Sequence, residues 1–129
     1  MRKDLGYKPR SEALSRCGFS CYSEYLFSDL WKSIRLRVLE RDHWTCVVCE
    51  YPATQVHHLS YADAVLLGER IDKLVSVCAP CHFKIEFAGN GNKLPLAKAV
   101  KKLEKLKKWH RKRKRREAHL LARELLADD

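Results

Sequence analysis

Six cysteines and six histidines among 129 residues are the groups best suited to chemistry, and their spacing sorts them. Cys46 and Cys49 make one Cys-x2-Cys pair and Cys78 and Cys81 a second, with 28 residues between the pairs. A turn of this type aims two thiolates at one point. Two such turns complete a tetrahedral four-sulfur shell, the closed site that structural zinc prefers. There is an energetic need as well. The stretch from Ser28 to Gly91 has few large apolar side chains, and so small a core is usually stapled. Bound zinc supplies about 10 kcal/mol or more of folding free energy in small metallo-domains. The interval between the pairs exceeds the roughly 15–20 residues of a simple two-knuckle zinc site, so something is inserted between them. Cys17 and Cys21 have no partner pair and read as local packing or free thiols.

The insertion carries His57 and His58, at the end of a β-leaning run from Thr54 to Leu59, and His82 directly follows the last paired cysteine. A neutral imidazole with a pKa near 6.5 can take a proton from water or ligate a metal at physiological pH. Three of them beside two knuckles form a constellation that zinc stapling alone does not require. His43, His110 and His119 lack such surroundings and read as surface residues.

The order Cys-x2-Cys, His-His, then LVSVCAPCH resembles the HNH nucleases of the ββα-metal fold in their four-cysteine, zinc-bearing form. The phrases RVLERD before the first knuckle and HHLSY after the first strand belong to the same likeness, which covers about residues 28 to 88. The resemblance implies an α+β core and a metal-dependent endonuclease that hydrolyses DNA phosphodiester bonds. It would nick one strand per active site and leave 5′-phosphate and 3′-hydroxyl ends. It further implies that His58 is the general base, and that His57 and His82 hold the catalytic divalent ion. Mg²⁺ or Mn²⁺ would suit that role, with Ni²⁺ or a second Zn²⁺ also compatible with imidazole ligands. Adjacent residues on a regular strand point to opposite faces, so His57 and His58 can share a site only if the strand ends or bends there, as the likeness implies. One position departs from the pattern. The family's middle Asn falls at Lys73, which has no acceptor to tie down the loop; Asp72 would have to substitute after a one-residue shift. The alternative is a non-catalytic, zinc-stabilised nucleic-acid-binding adaptor.

These residues need elements to position them. Ser28 reads as an N-cap with Asp29 in the first turn, and Trp31, Ile34 and Val38 recur on one face of a helix ending near Asp42. Leu74–Val77 is a second β-leaning run, and the second knuckle opens onto a short helical stretch, His82 to Phe87. Gly89-Asn90-Gly91-Asn92 marks a boundary. The expected layout is therefore a partly ordered arm over 1–27, a nuclease-like core over 28–91 and a basic helical extension over 92–129. The extension is one long helix, or two with a basic joint, whose stripe of Leu96, Val100, Leu103 and Leu106 resumes at Leu120, Leu121, Leu125 and Leu126.

Charge is concentrated in that extension. From Lys98 to Arg116 there are twelve Lys/Arg against one acidic residue, Glu104, which exceeds the whole chain's formal net charge of +10. The rest of the chain is close to neutral, so one segment gives the protein its attraction for a polyanion. Lys101, Lys102, Lys105, Lys108, Arg111, Lys112, Arg115 and Arg116 repeat at intervals of three and four and are the expected contacts to DNA, double-stranded in the first instance. Trp109 lies among them as a packing residue or a base-stacking one. No run without a charged residue exceeds the 12 residues Tyr51–Ala62, far short of the roughly 18 apolar residues of a membrane helix. The N-terminal MRKDLGYKPR has no apolar stretch of the signal-peptide kind. A cytoplasmic, reducing compartment is expected, where cysteines bind metal rather than form disulfides. A homodimer is compatible with the Leu120–Leu126 patch but not indicated by it.

Overall fold

The computed structural model describes residues 7–127; the first six residues of the expected arm, including most of the segment read as lacking a leader, lie outside the described residues. The chain forms α1 (Lys8–Arg16), α2 (Tyr22–Phe27), α3 (Asp29–Arg41), β1 (Gln55–His58), α4 (Asp63–Leu66), β2 (Leu74–Val77), α5 (Ala79–Glu86) and α6 (Leu96–Ala127). The fold is α+β, with one small antiparallel sheet of two strands. No described helix is long and apolar enough to cross a membrane.

Helix α3 forms as its sequence dictates. The Ser28 side chain accepts from the Trp31 backbone N–H, satisfying a donor that the first turn leaves open. Trp31, Ile34, Val38 and Leu39 are buried, each such burial contributing about 1.5–3 kcal/mol. Asp42 ends the helix and accepts from the Ser76 backbone N–H at 3.0 Å, which pins α3 to β2. The strands pair with Val56 opposite Ser76, His57 opposite Val75 and His58 opposite Leu74. Ser76 donates its hydroxyl to Val38 O, so the face holding Val56, His58, Leu74 and Ser76 looks at α3. Gln55 and His57 look the other way, at α5.

Three departures from the sequence reading concern what surrounds this sheet. The arm, expected to be partly ordered, packs into the core over its described part. Ala13, Leu14 and Tyr25 of α1 and α2 are fully buried, Tyr25 donates to Leu66 O at 2.9 Å, and Arg16 pairs with Asp63 at the start of α4. The pattern was hard to read because two helices of nine and six residues are too short to display a period. Next, Gly89–Asn92 forms the turn that follows α5, and the chain beyond it packs back on the core. Leu94 N–H bonds back to Glu86 O, Tyr7 donates to Leu94 O, and α6 lays Ala99 and Leu103 into the same buried cluster that begins at Ala13. One core therefore spans the three expected regions. Finally, neither Lys73 nor Asp72 secures the loop before β2: Asp72 pairs with Arg70, and it is Arg41 of α3 that donates to Ile71 O and Leu74 O, both at 2.6 Å. The same loop needs Gly68, whose φ is +75° and where a Cβ would sit 2.6 Å from Ile34 Cγ1.

A candidate metal centre between strand and helix

The two knuckles meet as their spacing predicts. The sulfurs of Cys46, Cys49, Cys78 and Cys81 all lie within 4.8 Å of one another, and none is in a disulfide. Cys49 Sγ and Cys78 Sγ are 3.6 Å apart, close to the edge of about 3.8 Å that a tetrahedron with 2.3 Å Zn–S bonds requires. The first knuckle follows two left-handed residues, His43 and Trp44, and closes with Glu50 N–H on Cys46 O. In the second, Cys78 caps α5 and Pro80 occupies its first turn, where a missing N–H costs nothing. Helix α5 therefore starts three residues earlier than the sequence suggested. Burial pushes the Cys49 and Cys81 thiols up. Cys46 is pushed up by burial too, but backbone N–H groups of Cys49, Cys78 and Val48 outweigh this and hold it below the usual thiol value. The four-sulfur group fits a structural zinc.

A second group of donors lies between β1 and α5. His57 comes from the strand; His82 and Glu86, four residues apart, project from the same side of the helix. Their ligating atoms also lie within 4.8 Å of one another. The His57 and His82 rings are 5.3 Å apart and roughly edge to face. Gln55 Oε1, on the same strand face as His57, is 2.8 Å from His82 Nδ1. His82 Nε2 lies 3.1 Å from Glu86 Oε1, so the Gln55 amide and the Glu86 carboxylate hold the two ring nitrogens from opposite sides. Burial pushes the Glu86 carboxyl up, but the His57 and His82 rings outweigh this and hold it well below the usual carboxylate range, so it is ionised. His57 is 2% exposed and both its nitrogens are buried without a hydrogen-bond partner; Nδ1 lies 3.5 Å from Glu86 Oε1 without hydrogen-bond alignment. A buried imidazole without a hydrogen-bond partner, a second imidazole and a carboxylate thus lie close enough together to hold a metal ion, with His82 and Glu86 partly open to solvent.

His58 does not join this group. Strand β1 runs regularly through it, so alternation sends its ring to the α3 face. There it lies 1% exposed between Trp31, at 4.7 Å, and Tyr61, at 5.1 Å, with Nδ1 3.2 Å from the Tyr22 hydroxyl. Burial, then the charges of His57 and His82, push its pKa down to about 3 and keep the ring neutral. The expectation of three converging imidazoles therefore holds for His57 and His82 only, because the bend that it required is absent. Glu86 takes the third place. Its spacing from His82 was visible in the sequence, but nothing there told an inward carboxylate from a solvated one.

The basic residues divide in a similar way. On a helix of 3.6 residues per turn, Lys101, Lys105, Lys108, Lys112, Arg115 and Arg116 fall on one side of α6, opposite the anchoring Ala99 and Leu103. They form an exposed stripe about 22 Å long. Lys102 is instead drawn inward and donates to Phe87 O at 2.7 Å. Arg111 lines a groove of about 380 Å³ between α6 and the first knuckle, where Lys114 pairs with Glu50. His43 and His119 are exposed, as expected, and His110 is half-buried in the groove wall. Trp109 is more than half exposed, with Arg113 over its ring at 5.5 Å. All residues from Arg111 to Ala127 are exposed, Leu120, Leu121, Leu125 and Leu126 among them, so that leucine patch packs on nothing in the described chain.

Comparison with protein-family models found no match, and comparison with curated proteins found none either.

Proposed function

We propose that the chain is a metal-dependent nuclease of the HNH kind, acting on phosphodiester bonds of DNA at a centre made by His57, His82 and Glu86. The observation that carries this reading is the convergence of His57, His82 and Glu86, whose donor atoms lie within 4.8 Å of one another between β1 and α5, with the His82 ring held by Gln55. His57, His82 and Glu86 would hold a divalent cation, whose chemistry is to neutralise phosphoryl oxygens and acidify a water molecule. Gln55 holds the angle of the His82 ring. Zinc on the four cysteines keeps β2, the first knuckle and the start of α5 in register, so that strand and helix ligands meet. The stripe on α6 attracts and positions the polyanion without reading bases. In this form the chemistry does not use His58 as base. Two paired strands, joined by a loop that holds the one-turn helix α4 and followed directly by α5, support the ββα assignment.

The enclosure of His58 favours a second reading, the zinc-stabilised adaptor, and one assay separates them. Supercoiled plasmid is incubated with the zinc-loaded protein and Mg²⁺ or Mn²⁺. Nicked circles are expected from the wild type, with a loss of about 10²-fold or more in His57→Ala and Glu86→Gln. Undiminished DNA binding with no nicking by the wild type in either ion would leave the adaptor standing.

A further inference from the structure

Helix α5 carries more than ligands. Going round it at 100° per residue, Cys81 and Ile85 face the core, His82 and Glu86 face β1, Phe83 and Phe87 form the next stripe, and Lys84 follows. Neither phenylalanine belongs to the buried cluster, and Phe83 is 59% exposed. Their rings are stacked, with centroids 4.7 Å apart and planes at 19°. Phe87 thus backs Phe83 and leaves the outer face of Phe83 to solvent at a fixed angle. Cations lie near the pair: Lys84, the next position round the helix, is exposed, and Lys93 Nζ sits 4.8 Å from the Tyr7 ring centroid and 5.9 Å from that of Phe87.

What sets Phe83 apart from other exposed rings is its stacked partner, which makes a contiguous apolar face that a flat partner can cover. The nearby lysines say what kind of cover fits. A polyanion with flat apolar faces, set beside a phosphate-handling centre one stripe round the helix, matches the order of groups on α5. We propose that Phe83, backed by Phe87, is a stacking platform for an unpaired base. The strand presented to the His57–His82–Glu86 centre is accordingly single-stranded or locally unpaired, since a paired base has both faces covered by its neighbours. The link to that centre rests on the nuclease reading above; the stacking itself does not.

The test measures binding of a fluorescein-labelled single-stranded oligonucleotide, and of the same sequence as a duplex, at one salt concentration. Wild type, Phe83→Ala and Phe83→Tyr are compared. Phe83 is exposed, so these variants keep the fold. Phe83→Ala is expected to weaken single-strand binding about tenfold while duplex binding stays within about twofold, and Phe83→Tyr to restore it. Fluorescence of a 2-aminopurine placed in the strand should be quenched by wild type and Phe83→Tyr but not by Phe83→Ala. Equal single-strand binding by Phe83→Ala, an equal loss on the duplex, or a wild-type dimer that Phe83→Ala dissolves would each overturn the platform; the last would make a second copy its cover. Failure of the two readings is distinguishable. Phe83-dependent strand binding without plasmid nicking keeps the platform and rejects hydrolysis, whereas nicking with unchanged strand binding in Phe83→Ala does the reverse.

Discussion

His57 and His58 are neighbours in sequence and occupy unlike worlds. One is an orphaned ring beside an ionised carboxylate; the other is wedged between Trp31 and Tyr61. The distinction is testable because ring stacking and proton transfer ask different things of a side chain. Phenylalanine at position 58 keeps the stack and loses only the contact with the Tyr22 hydroxyl. His58→Phe is expected to fold and to nick plasmid within about tenfold of wild type, whereas removal of a true general base costs about 10²- to 10⁴-fold. A larger loss in a variant with unchanged circular dichroism would return His58 to the role of base. Gln55 shows the opposite case, a residue with no reactive chemistry that holds the His82 ring in place.

At the scale of elements, the join between α3 and the sheet is electrostatic as well as apolar. Arg41 forks onto both oxygens of Asp42, and Asp42 accepts from the Ser76 backbone N–H. Burial pushes the Asp42 carboxyl up, but Arg41 and Ser76 outweigh it and hold it below the usual carboxylate value. A carboxyl whose pKa is depressed by folding stabilises the fold fully above its unfolded pKa, near 4, and ceases to do so as pH falls through the depressed value. Asp42→Asn is therefore expected to cost about 1–2 kcal/mol at pH 7, the partly exposed Arg41 contributing little of it. The gap between variant and wild type should narrow as thermal unfolding is repeated at pH 4 and below. A gap independent of pH would mean that packing, not the charge, carries the effect.

For the whole molecule, two parts of the chain serve separate ends. The cysteine cluster ties the first knuckle to α5, and the core around it is small; stripping zinc with a strong chelator is expected to unfold the sheet and α5 cooperatively, seen as loss of near-ultraviolet dichroism, with one tightly held zinc per chain released. The stripe on α6 lies away from the core, so its loss should leave stability unchanged. If its six cations each meet a phosphate, log K falls against log salt with a slope near −5, and alanine at Lys108, Lys112 and Arg115 should flatten that slope by about 3. An unchanged slope would move the polyanion to the groove beside the first knuckle.

The sequence by itself determined the four-sulfur cluster, the limits of α3, the strand Leu74–Val77 and the placing of most positive charge in the C-terminal helical segment. Each depends on spacing or periodicity within a short window, where local geometry leaves little choice. Only the tertiary structure decided that the described part of the N-terminal arm packs into the core, that Arg41 rather than Lys73 or Asp72 holds the loop, that Glu86 completes the donor set, and that His58 looks at α3. Those outcomes turn on which face of an element meets which neighbour. For His58 that was a contest between the alternation of a regular strand and a bend implied by likeness, and with both strands paired to the end of their ladder the alternation won.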